Sequence, residues 1–117
     1  MLNSNCNEIN NNLSKDVIST TLPFSSNFQQ YQDDKLKNIA EIEVIVAPGS
    51  NNPELCRTIK CKNEQASGFC AFKDPSYYAV GYVIFVSSTG TVGYEITDIF
   101  GWNTDLFRIT QIIGLKI

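Results

Sequence analysis

The chain contains no histidine. Ser-His-Asp and Cys-His nucleophile systems are thereby excluded, as is any metal site that uses imidazole. Charge is sparse too: 18% of residues carry one, the net charge is −3, and neither sign gathers in a block. Neutralising a phosphate backbone takes clustered Lys and Arg, so nucleic-acid binding has no footprint here. No apolar run approaches the ~20 residues a membrane helix needs. Neither a basic n-region nor an apolar h-region opens the chain, so no secretory signal is read. Synthesis in the cytoplasm is expected, with deposition at a surface or in an assembly as a later step. Paired C-x-x-C knuckles are missing as well. The four cysteines are Cys6, Cys56, Cys61 and Cys70, and a zinc site would need all four thiolates. Cys56 and Cys61 have opposite parity on a single strand, so they point to opposite faces and cannot share a metal. No cofactor is implied.

What is present reads as one domain. The 117 residues are 43% hydrophobic, enough to bury about two-thirds of the unfolded surface. The centre of the pattern is residues 77–100, YYAVGYVIFVSSTGTVGYEITDIF. Residues 77–86 carry no charge and are rich in β-branched and aromatic side chains, which suits a central strand covered on both faces. After the turn, Val92, Tyr94 and Ile96 alternate with Gly93, Glu95 and Thr97, the mark of a half-buried strand. A three-residue loop Ser88-Thr89-Gly90 would put glycine at the left-handed position and set Val86 opposite Val92, Ile84 opposite Tyr94 and Tyr82 opposite Ile96. A two- or four-residue loop would instead pair Phe85 with Val92 and Val83 with Tyr94. Gly90 favours the first register. Tyr82, Ile84, Val86, Val92, Tyr94 and Ile96 are then the expected core.

Other segments fit the same class. Residues 17–22 read as a short strand stopped by Pro23, and 28–39 as one short helix. In 39–46, Ile42, Val44 and Val46 face inward while Glu41 and Glu43 face water. Residues 55–62 place Leu55, Ile59 and Cys61 on one face, interrupted there by Arg57, with Cys56, Thr58, Lys60 and Lys62 on the other. Residues 68–73 form a short apolar strand, and 106–117 a last one in which Phe107, Ile109, Ile113, Leu115 and Ile117 share a parity and Gly114 marks a bulge. Six or seven short strands between Gly/Pro/Asn turns predict an all-β fold, a small antiparallel β-sandwich of jelly-roll-like kind. The alternative is an α+β cone with helices on a curved antiparallel sheet.

Residues 1–15 form a polar arm ahead of the domain at 16–117. The arm holds six asparagines and two serines. Such a segment has too little apolar surface to offset its ordering entropy alone, so it is expected to dock on another chain. Its contact residues would be Asn3, Asn5, Asn7, Ile9 and Leu13, and Cys6 and Cys56 are the candidate intermolecular thiols. The layout, an Asn-rich, Cys-bearing arm ahead of a β domain, is similar to that of spore-appendage fibre subunits. Those carry clustered cysteines in the arm; here Cys6 stands alone.

Two further groups bear on chemistry. Asp98 has inward parity beside Ile96 and Phe100, which would raise its pKa if buried, yet no second carboxylate completes a dyad. Tyr77, Tyr78, Tyr82, Tyr94 and Trp102 could stack a ligand, but packing against one another in a sheet is the commoner fate of such residues. The expectation is therefore a non-enzyme. It is a structural, self-assembling, fibre- or appendage-like subunit whose partner is itself. The alternative is a small binding protein, an immunity protein or inhibitor from a mobile element, that caps one protein partner with a β face.

Overall fold

The computed structural model describes residues 15–22, 27–49, 53–74, 77–98 and 107–115. Eight strands account for most of them: β1 (Lys15–Leu22), β2 (Gln29–Gln32), β3 (Glu41–Ala47), β4 (Arg57–Lys62), β5 (Ala66–Asp74), β6 (Tyr77–Val86), β7 (Thr91–Asp98) and β8 (Arg108–Leu115). They form two antiparallel sheets, sheet A in the order β1-β8-β3-β4 and sheet B in the order β2-β7-β6-β5. The protein is an all-β sandwich. β1 lies beside β8 in one sheet and β2 beside β7 in the other, so the first and last strands pair, then the next strands inward. The α+β cone is set aside. Where a helix was expected at 28–39, the chain makes β2 and then a single 3-10 turn, Asp34–Leu36, capped by Asp33 Oδ1 accepting from the Lys35 amide at 2.9 Å.

Alternation sets the two inner faces. From sheet A come Ile42, Val44, Val46, Ile59, Cys61, Ile109 and Ile112; from sheet B come Ala71, Ala79, Val83, Phe85, Val92, Tyr94 and Ile96. All are buried in one cluster, which Leu36, Ile39, Leu55 and Phe107 complete. The expected parity of β3 and β4 is observed: Glu43 lies opposite Lys60 and Glu41 opposite Lys62 on the outer face, a favourable cross-strand arrangement of opposite charges.

β8 departs from its expected single parity. Ile45 pairs with Gln111 but the next residue, Val46, pairs with Ile109, so Thr110 is the extra residue of a bulge. A bulge inverts the facing of everything beyond it. Ile109 and Ile112 therefore point into the core, while Ile113 and Leu115 point to the outer face of sheet A. The bulge lies at Thr110, not Gly114. Gly114 faces inward, where a Cβ would sit 3.3 Å from Leu36 Cδ2.

The central hairpin also takes the other register. The turn has four residues, Ser87 to Gly90, closed by Val86 opposite Thr91, and Phe85 pairs with Val92, Val83 with Tyr94 and Gly81 with Ile96. Gly90 does adopt the left-handed conformation, φ 68°, but as the last residue of a four-residue loop. Its backbone is engaged on both sides: its amide donates to Ser87 O and its carbonyl accepts from the Asp33 amide. Val92, Tyr94 and Ile96 are buried as expected. Tyr82, Ile84 and Val86 are not; they stand half-exposed on the outer face, so β6 is covered on one face only.

Candidate interaction surface

The outer face of sheet B is the feature that the core does not use. Along β6 it presents Val80, Tyr82, Ile84 and Val86, all half-exposed. β5 contributes Ala66 and Gly68, opposite Ile84 and Tyr82, and Cys70 opposite Val80. β7 contributes Thr91, Gly93, Glu95 and Thr97, and β2 adds Gln30 and Gln32. Small residues on the flanking strands leave the β6 side chains standing proud. Phe28, just before β2, is the exposed large hydrophobic, at 44%. Its ring lies over Gly93, where any Cβ would collide with it, and stacks on Tyr82 with centroids 6.5 Å apart and planes at 21°. A strand glycine often marks such a close approach. Phe28 was missed in the reading of the sequence, and Gly93 was the signal that could have found it.

Electrostatically the face is nearly blank. Glu95 is the charged residue among those described on it, and its Oε1 accepts from the Tyr82 hydroxyl at 2.8 Å. That bond to the carboxylate, then desolvation, pushes the Tyr82 phenol above its ordinary value. Tyr94, across the strand, is raised by burial alone. The pair shows how alternate positions on a hairpin divide between core and surface.

The other expected site residues are dispersed. Cys6, Asn3, Asn5, Asn7, Ile9, Leu13 and Trp102 lie outside the described residues. Cys56 precedes β4 and packs, half-buried, against Ile45, Ala47, Ile113 and Leu115 on the outer face of sheet A, remote from the β6 stripe. It is disulfide-bonded, and Cys61 and Cys70 are free. Cys61 sits in the core with its Sγ 2.8 Å from Gln65 O, and burial raises its thiol pKa. Cys70 is exposed on β5. Asp98 is the last residue of β7, opposite Ala79. Among the described residues no group of three or more His, Cys, Asp or Glu side chains could hold a metal, and no helix is long and apolar enough to cross a membrane.

The β5 edge is tied to β4 by side chains: Arg57 Nε donates to Cys70 O at 3.1 Å and Ser67 Oγ donates to Lys60 O at 2.7 Å. Spending edge carbonyls this way blunts strand addition. Chemically, then, the arrangement offers an apolar, aromatic sheet face with amide and hydroxyl groups at its rim. Comparison with protein-family models, curated proteins and solved structures gives no match.

Proposed function

We propose that the protein is a non-enzymatic, self-assembling subunit whose working surface is the outer face of sheet B, occupied by a second copy of the chain. The observation that carries this is the continuous half-exposed stripe Val80–Tyr82–Ile84–Val86 with the exposed Phe28 beside it. A contiguous apolar patch on a surface commonly marks an interaction site. Four strands about 4.8 Å apart and about 26 Å long offer roughly 500 Å² of face, so two copies would hide about 1,000 Å², the lower limit for a specific interface. The blank electrostatics favour a like partner. A face whose carboxylate is already bonded to Tyr82 asks for no cationic complement, and across a twofold axis it meets an equally apolar surface.

The same stripe supports a second reading, a domain that caps a different protein with this face. Mass in solution separates the two. Sedimentation velocity over a range of micromolar concentrations should show a dimer or larger species that persists in reductant. Ile84→Asp, which puts a charge in the middle of the stripe without entering the core, should return it to monomer. A wild-type protein that stays monomeric sinks self-assembly and leaves the capping reading. Asp98→Asn is expected to leave the mass distribution unchanged, as a residue with no catalytic or assembly role.

A further inference from the structure

Glu95 stands where the sheet B interface has to close. It lies on β7, an inner strand between β2 and β6, and points to the outer face of sheet B. Tyr82 is directly opposite it on β6, and Gly93 and Thr97 are its outward neighbours along β7. The Phe28 ring, which lies over Gly93 and stacks on Tyr82, belongs to the same cluster. Among the described outward residues of β2, β5, β6 and β7 there is no Lys or Arg. The titratable groups there are Glu95, Tyr82 and Cys70, the last on β5, two strands from β7. The Tyr82 hydroxyl donates to Glu95 Oε1 at 2.8 Å. That bond orients the carboxylate and leaves its charge in place.

We infer that self-association through this face is proton-coupled: each copy takes up a proton at Glu95 as the dimer forms, so that acid closes the interface and ionised Glu95 holds the copies apart. This regulation rests on the reading of the face as a self-association surface. With roughly 500 Å² on each copy, the buried total reaches the lower limit of a specific interface only when the whole face is covered. A carboxylate on an inner strand cannot then remain at a wet rim. In a twofold interface whatever one copy buries the other buries too, so both Glu95 side chains leave water together. Their new surroundings are the apolar stripe of the partner, which offers no cation. Desolvation without a cation disfavours the charged form, and a buried carboxylate sheds its charge by binding a proton.

The dimer thus holds up to two more protons than the separated monomers, both drawn from solvent. Association therefore strengthens as pH falls and weakens as pH rises. Tyr82 does not compete for this role. Its phenol is pushed above the ordinary 10.0, first by the bond to Glu95, and keeps its proton throughout the acid and neutral range.

The test is sedimentation equilibrium of the full-length protein in reductant at a series of pH values. Between about pH 7.5 and about pH 5.5 the dissociation constant of the dimer should fall about tenfold or more. Glu95→Gln keeps the shape and an acceptor for the Tyr82 hydroxyl, and it shares every other ionisation of the chain. It should dimerise more tightly than wild type at about pH 7.5 and lose most of the pH dependence. Tyr82→Phe removes the donor to the ionised carboxylate and should steepen the dependence. Three results overturn the coupling while leaving self-assembly intact: a wild-type dimer whose constant is level with pH, a Glu95→Gln slope equal to that of wild type, or a shallower slope in Tyr82→Phe. Protein that is monomeric at every pH, Glu95→Gln included, overturns the self-assembly reading and the coupling with it.

Discussion

The register of the β6–β7 hairpin can be decided by two truncations next to each other in sequence. In the observed pairing Phe85 points into the sandwich, fully buried, among the largest of the enclosed side chains. Ile84 points out, half-exposed, with Gly93 and Phe28 as neighbours. Phe85→Ala removes the ring from between the sheets, and the neighbouring Val83 and Val92 are held by their ladders and cannot collapse into the space. The cost is the lost transfer energy plus that of the cavity, about 3–5 kcal/mol. Against a total stability of about 5–15 kcal/mol this is a large fraction. Ile84→Ala leaves no enclosed cavity and should cost about 1 kcal/mol. Urea denaturation followed by tryptophan and tyrosine fluorescence gives both values from the midpoints, provided the slope stays constant. Had the turn three residues, the two costs would be exchanged. An Ile84→Ala loss equal to or greater than that of Phe85→Ala refutes the four-residue turn and the assignment of the outer face with it.

Gly90→Ala should lower stability by about 2 kcal/mol in a thermal melt, since the left-handed conformation disfavours a Cβ by about 1–2 kcal/mol and the Cβ would also meet the Asp33 carbonyl. A neutral result would mean that the loop reorganises freely around residue 90. Burial raises the phenol of Tyr94 above the ordinary 10.0, so the folded state prefers the protonated ring. Stability should therefore be level below that value and fall as pH rises above it, where the unfolded chain loses protons that the folded one keeps. Tyr94→Phe should reduce the alkaline slope measured by urea titration at successive pH values; an undiminished slope would place the effect elsewhere.

Much of sheet A could be read from the residues. In residues 41–44 and 58–62 polar and apolar side chains alternate, and period two carries the facing by itself; Ile45, Ala47 and Arg57 break the pattern without shifting it. The hairpin was harder. Both registers put Val92, Tyr94 and Ile96 inside, and β6 is apolar on both faces, so only the loop length could choose; Gly90 fits the left-handed place in a loop of either three or four. The bulge at Thr110 left no mark, because the local run Ile109-Thr110-Gln111-Ile112 contains neither glycine nor proline. Residues 28–39 mislead for a different reason: a four-residue strand and one 3-10 turn are too short to show a period, and their place is fixed by pairing with β7 and by Leu36 entering the core. The stripe on sheet B was hidden by its own composition. Val80, Tyr82 and Ile84 look like core residues, and only the structure shows that no described strand lies above them and that Phe28 alone stacks on Tyr82 there.

The place of β8 has a consequence for how the chain is made. It is the last of the described strands in chain order, yet it lies between β1 and β3 as an inner strand of sheet A. Until it emerges, β1 has no partner in the fold and β3 is paired on one side only. The β5–β6–β7 meander, by contrast, consists of neighbours in sequence and can pair as soon as it is released. During synthesis the half-made protein therefore carries two open strand edges in sheet A, the kind of surface that nascent chains on adjacent ribosomes can share. Insertion of β8 closes both edges at once, so completion of sheet A waits on the emergence of this one strand.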